Sequence, residues 1–96
     1  MKIQVTLNLS KQIRTFELNG RLGWAMAELA KAGPGGVTPI ERPAPRWSGY
    51  VHDLRGLGIP IDTEMVPHGG AYSGHHARYR LACDVSLTFL DGEAVT

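Results

Sequence analysis

The sequence predicts an α+β domain. Three observations carry that expectation. The chain alternates apolar and polar residues near both ends, it shows two helical apolar stripes between residues 20 and 57, and a Gly- and Pro-rich stretch separates the stripes. With 96 residues there is room for one small domain.

Ile3, Val5, Leu7 and Leu9 alternate with Lys2, Gln4, Thr6 and Asn8, the period of a half-buried strand. Ser10-Lys11-Gln12 can turn the chain. Ile13–Leu18 then returns with Phe16 and Leu18 on one side, which predicts a hairpin over residues 2–18.

Asn19 is a candidate cap for a first helix. Leu22, Met26 and Leu29 recur at helical spacing, and Arg21, Glu28 and Lys31 point away from them. Gly33-Pro34-Gly35-Gly36 ends the helix. Thr38-Pro39-Ile40-Glu41 has the form of a capping box, with Pro at the first helical position. It predicts a second helix of about one turn, to Arg42, because Pro43 and Pro45 follow.

A third helix is predicted from about Pro45 to Leu57. Trp47, Tyr50, Val51, Leu54 and Leu57 form its apolar stripe, and Ser48, Gly49, His52, Arg55 and Gly56 fall opposite. Trp47 is expected to pack in the core against the first helix. Ile61–Val66 then extends, a loop follows to about His76, and Ala77–Ala82 returns as a strand. That strand carries Tyr79 and Leu81 on one side and Arg78 and Arg80 on the other. Val85, Leu87 and Phe89 alternate once more.

Three helices followed by a β-hairpin make a winged helix-turn-helix, here with an extra N-terminal β-hairpin. The expected division is an N-terminal hairpin extension at 1–19, the winged helix-turn-helix at 20–82, and a strand with a loose tail at 83–96. The flanking strands would extend the sheet within one chain or pair two chains into a homodimer.

Several strings also resemble a known family. They are Gly23-Trp24-Ala25, Gly36-Val37-Thr38-Pro39-Ile40, Pro43-Ala44-Pro45-Arg46-Trp47-Ser48-Gly49-Tyr50-Val51 and Asp53-Leu54-Arg55. To these is added His68-Gly69-Gly70 through Gly74-His75-His76-Ala77-Arg78-Tyr79. Over residues 20–82 the chain resembles the small winged helix domain proteins of proteobacterial and prophage genomes. The resemblance implies a winged helix-turn-helix fold and binding of double-stranded DNA, as a small transcriptional regulator or a phage-type accessory factor.

Composition narrows the function. Net charge is +1, so no global field favours a polyanion. Residues 42–80, however, hold five Arg against three acids and contain all four His, while the segment from residue 81 on has three acids and no Lys or Arg. No apolar run approaches the ~20 residues that span a bilayer, and the first residues lack a signal-peptide core. Cys83 has no second cysteine to join and fits a reducing cytoplasm. So short a chain leaves little room for catalytic apparatus, and neither Ser73 with His75 nor Asp53 with His52 has a third group to complete a site. The expectation is a binding protein, not an enzyme, without cofactor.

The candidate DNA-contacting residues follow from placement. Arg42 and Arg46 flank the start of the third helix, and Arg can bridge phosphate oxygens or the guanine edge. Ser48, His52 and Arg55 line its outer face. Tyr72, Ser73, His75, His76 and Arg78 belong to the wing, whose Gly-rich tip suits backbone or minor-groove contact. His68, His75, His76 and Cys83 are metal-ligand types within 16 residues, but they lack the two close pairs of zinc sites, so no metal is expected. The rival reading is a protein-interaction module on the same scaffold, without DNA affinity.

Overall fold

A computed structural model of the chain describes residues 2–39, 41, 46–69 and 74–90. The predicted N-terminal hairpin is β1 (Lys2–Leu9) and β2 (Gln12–Asn19), joined at Ser10-Lys11. Helix α1 covers Gly20–Ala32, and a 3-10 turn follows at Gly33–Gly35. Helix α2 covers Trp47–Gly56. After it come β3 (Ile61–His68), β4 (Gly74–Leu81) and β5 (Asp84–Phe89).

Two antiparallel sheets result. One has the order β2-β1-β5, and the other is the β3-β4 hairpin. Strand β5 pairs with β1 of its own chain, Ile3 opposite Phe89 and Leu7 opposite Val85. The two flanking segments therefore share a sheet. Both long edges of β1 are occupied, which leaves β2 and β5 as the outer strands.

One core serves both sheets. Ile3, Val5 and Leu7 of β1 are fully buried. They belong to one cluster with Met26 and Leu29 of α1, Trp47, Val51 and Leu54 of α2, and Tyr79 of β4. The alternation of β1 explains this directly, since its odd residues face the helices and its even ones face water. Trp47 lies in that core with its ring centroid 5.5 Å from that of Trp24 on α1, as the sequence predicts.

The structure corrects four expectations. It has two α-helices among the described residues, not three. Thr38 and Glu41 form a capped turn where the short second helix was predicted; Ile40 and Arg42–Pro45 lie outside the described residues. The Glu41 amide donates to Thr38 Oγ1 at 3.1 Å. The hydroxyl donates in turn to Glu41 Oε1, so the carboxylate meets the hydroxyl instead of the Thr38 amide. A single turn fixes several residues for one hydrogen bond, and the prolines bar its continuation.

Asn19 precedes α1 in extended conformation but makes no side-chain cap bond, because it is the last ladder residue of β2, opposite Lys2. Helix α2 starts at Trp47, since Arg46 before it is not helical. The wing strands are longer than predicted: β3 runs on to His68 and β4 begins at Gly74, placing His75 and His76 in the ladder. Pro67 is accommodated there because β3 is an edge strand.

The wing is fastened to the helices at its base. Val37 and Tyr79 exchange both backbone hydrogen bonds at 2.8 Å, so the loop after α1 forms a bridge on β4. Gly36 makes this possible. Its φ is +71°, and a Cβ there would stand 2.8 Å from the Tyr79 carbonyl oxygen.

Candidate nucleic-acid interface

Helix α2 carries the site. Its stripe of Trp47, Val51 and Leu54 is buried, and burial of that stripe turns the other face outward. Ser48 and His52 lie exposed on the outer face, as predicted. Arg46, next to the helix start, is exposed, and its guanidinium lies over Gly49, where a Cβ would come within 3.2 Å of Nη2. The absence of a side chain at Gly49 thus lets Arg46 lie along the helix. Arg42, Tyr72 and Ser73 lie outside the described residues.

Arg55 is exposed but already engaged. Its Nε and Nη2 donate to the Ile61 carbonyl at 3.1 and 2.6 Å, and Nη2 also donates to Thr63 Oγ1 at 2.7 Å. The guanidinium thereby ties the end of α2 to the start of the wing. No carboxylate neutralises it among the described residues.

The wing arginines are further committed. Arg78 donates through Nη1 to the Gly35 carbonyl at 2.6 Å and lies 3.4 Å from Glu41 Oε1. Arg80 donates through Nε to the Pro34 carbonyl at 2.9 Å and pairs through Nη2 with Glu64 at 2.7 Å. Both reach from β4 across the Gly-rich turn and buttress the hairpin. His75 is exposed on β4 and His76 is half-buried, on opposite faces of the strand. No group of three metal-ligand side chains converges among the described residues.

Sequence reasoning missed a cluster on the other flank of α2. Arg21 of α1 donates through Nε to Tyr50 Oη at 3.2 Å, and its Cζ lies 5.2 Å from the Trp24 ring centroid. Tyr50 in turn meets Trp47 edge-on, with centroids 6.1 Å apart. The available signal was Arg21 three residues before Trp24, a helical neighbour spacing.

A β-hairpin follows a helix with an exposed outer face, as in the winged fold that the resemblance implied, but with two α-helices among the described residues where three were expected. The family comparison agrees, matching residues 15–91 to the winged helix domain. The chain belongs to the winged helix domain family. The match is wider than the 20–82 on which the resemblance rests, and it takes in β5 and the end of β2. No curated protein and no solved structure matches the chain. Among the described residues of this winged helix domain, no helix is long and apolar enough to cross a membrane.

Proposed function

We propose that this winged helix domain binds double-stranded DNA as a small transcriptional regulator or phage-type accessory factor, working in the cytoplasm and without catalytic activity. One observation carries the reading. The outer face of α2 is uncovered by any described element, is bordered by Arg46 and Arg55, which have no carboxylate partner among the described residues, and is tied through Arg55 to an adjoining β-hairpin. A major groove admits such a helix. Arg46, Ser48 and His52 then face bases or phosphates, and Arg42 is proposed as a further contact. The hairpin lies along the flanking backbone, with His75 and His76 of β4, and Tyr72 and Ser73 of the segment before it, as proposed contacts. Should two copies read two half-sites, β2 and β5 each have an outer edge of the three-stranded sheet left to pair.

The rival, a protein-interaction module, draws support from Arg78 and Arg80, whose charges are met by Glu41 and Glu64 inside the fold. Fluorescence anisotropy with a labelled random-sequence duplex separates the two. A DNA binder using four phosphate contacts loses about 100-fold in affinity between 50 and 200 mM salt. Absence of duplex affinity at 50 mM salt favours the interaction module.

A further inference from the structure

We propose that Arg21 is a backbone-phosphate contact on the flank of α2 opposite the wing. The inference rests on the DNA-binding reading and adds a second line of contact to it.

The geometry of the guanidinium carries the argument. An exposed arginine side chain ordinarily samples many rotamers, and ordering it costs conformational entropy. Arg21 is held at two points. Its Nε is bonded to Tyr50 Oη, and its plane lies near the Trp24 indole. Trp24 packs on Trp47, and Trp47 on Tyr50, so the support is continuous with the core. With Nε occupied, the open edge of the fork is the one formed by Nη1 and Nη2. That edge presents two parallel N–H donors, the pair that a phosphate takes in bidentate fashion. Arg21 has no carboxylate partner among the described residues, whereas Lys2, Arg78 and Arg80 each have one. A cation that is ordered, exposed and unneutralised is prepared for an anion.

Position fixes which anion. On a helical wheel, Tyr50 and Arg55 stand on opposite flanks of α2's outer face. Arg55 reaches the wing and Tyr50 reaches Arg21. A duplex seated on α2 with the hairpin on one backbone therefore brings its other flanking backbone toward Arg21. Arg46, lying over Gly49 on α2, stands on the same side of the helix as Tyr50.

The test is the salt dependence of duplex binding by the full chain, read by anisotropy between 50 and 200 mM salt. Arg21→Gln is expected to weaken binding several-fold at 50 mM and to lower the log–log slope by about 0.9, the value of one phosphate contact. Tyr50→Phe keeps the charge and removes the tether, so affinity falls while the slope holds. Lys31→Gln, removing an exposed cation elsewhere on α1, leaves the slope unchanged. Far-ultraviolet circular dichroism confirms that each variant is folded. Unchanged binding in a folded Arg21→Gln protein, beside a wild type that binds, overturns this proposal and leaves the DNA-binding reading standing. An equal slope change in Lys31→Gln overturns it too, by showing a general charge effect. A wild type without duplex affinity removes both.

Discussion

Arg55 and Ile61 are joined by two hydrogen bonds, since Nε and Nη2 of one guanidinium share a single carbonyl oxygen at 3.1 and 2.6 Å. The link spans the turn between the proposed reading helix and the wing, so one candidate DNA contact is also a structural fastener. Arg55→Ala is therefore expected to cost stability, about 1–2 kcal/mol, as well as duplex affinity. Arg46→Ala should cost affinity with stability unchanged, because Arg46 has no ion pair or hydrogen-bonded side-chain partner among the described residues. Urea denaturation beside anisotropy reads the two effects separately. Full stability in Arg55→Ala would show that the fastener is energetically idle.

Gly36 stands where the loop from α1 is drawn onto β4. At φ +71°, with the Tyr79 carbonyl oxygen and Arg80 Cγ each 2.8 Å from where a Cβ would be, Gly36→Ala brings both backbone strain and a clash. We expect a loss of about 2–4 kcal/mol, a large part of the stability of so small a domain. A thermal unfolding midpoint within a degree of wild type would contradict it.

Asp53 is an exposed carboxylate on α2, three residues beyond Tyr50 and so on the same flank of the helix. If that flank meets phosphate, the charge opposes binding. Asp53→Asn is expected to tighten duplex affinity about threefold at low salt, with the gain shrinking as salt is added. Weaker binding in this variant would place the DNA elsewhere.

Cys83 sits between β4 and β5 with its thiol pKa raised, first by partial burial and then by the adjacent Asp84 carboxylate. Both favour the neutral thiol over the thiolate, the form that reacts. Alkylation by iodoacetamide should be slow at pH 7, speed up as pH rises past the ordinary thiol range, and be faster in Asp84→Asn. Rapid modification at pH 7, matching that of a free thiol, would show that neither effect operates.

Much of the fold was legible because its signals are local. The alternation of residues 2–9, the stripe at Trp47, Val51 and Leu54, and the Gly33–Gly36 stop each appear where expected. What failed were features in which a local preference competes with a neighbour. Asn19 is drawn into the β2 ladder instead of capping α1, and Thr38 and Glu41 close a turn because one helical turn gains too little. The candidate site was legible by position on α2 but not by what each arginine touches. Arg55, Arg78 and Arg80 look alike in the sequence, yet all three bond to backbone carbonyls, Arg55 to the start of β3 and the other two to the distant Gly-rich turn.

By itself, the sequence determined the two hairpins, the two long helices, the final strand, their order and the outward face of α2, because periodicity acts within a few residues. Tertiary structure alone decided that β5 closes on β1, that the wing arginines are struts, and that Arg21 meets Tyr50. Those pairings join residues far apart along the chain. Their energies depend on packing that no short window of sequence contains.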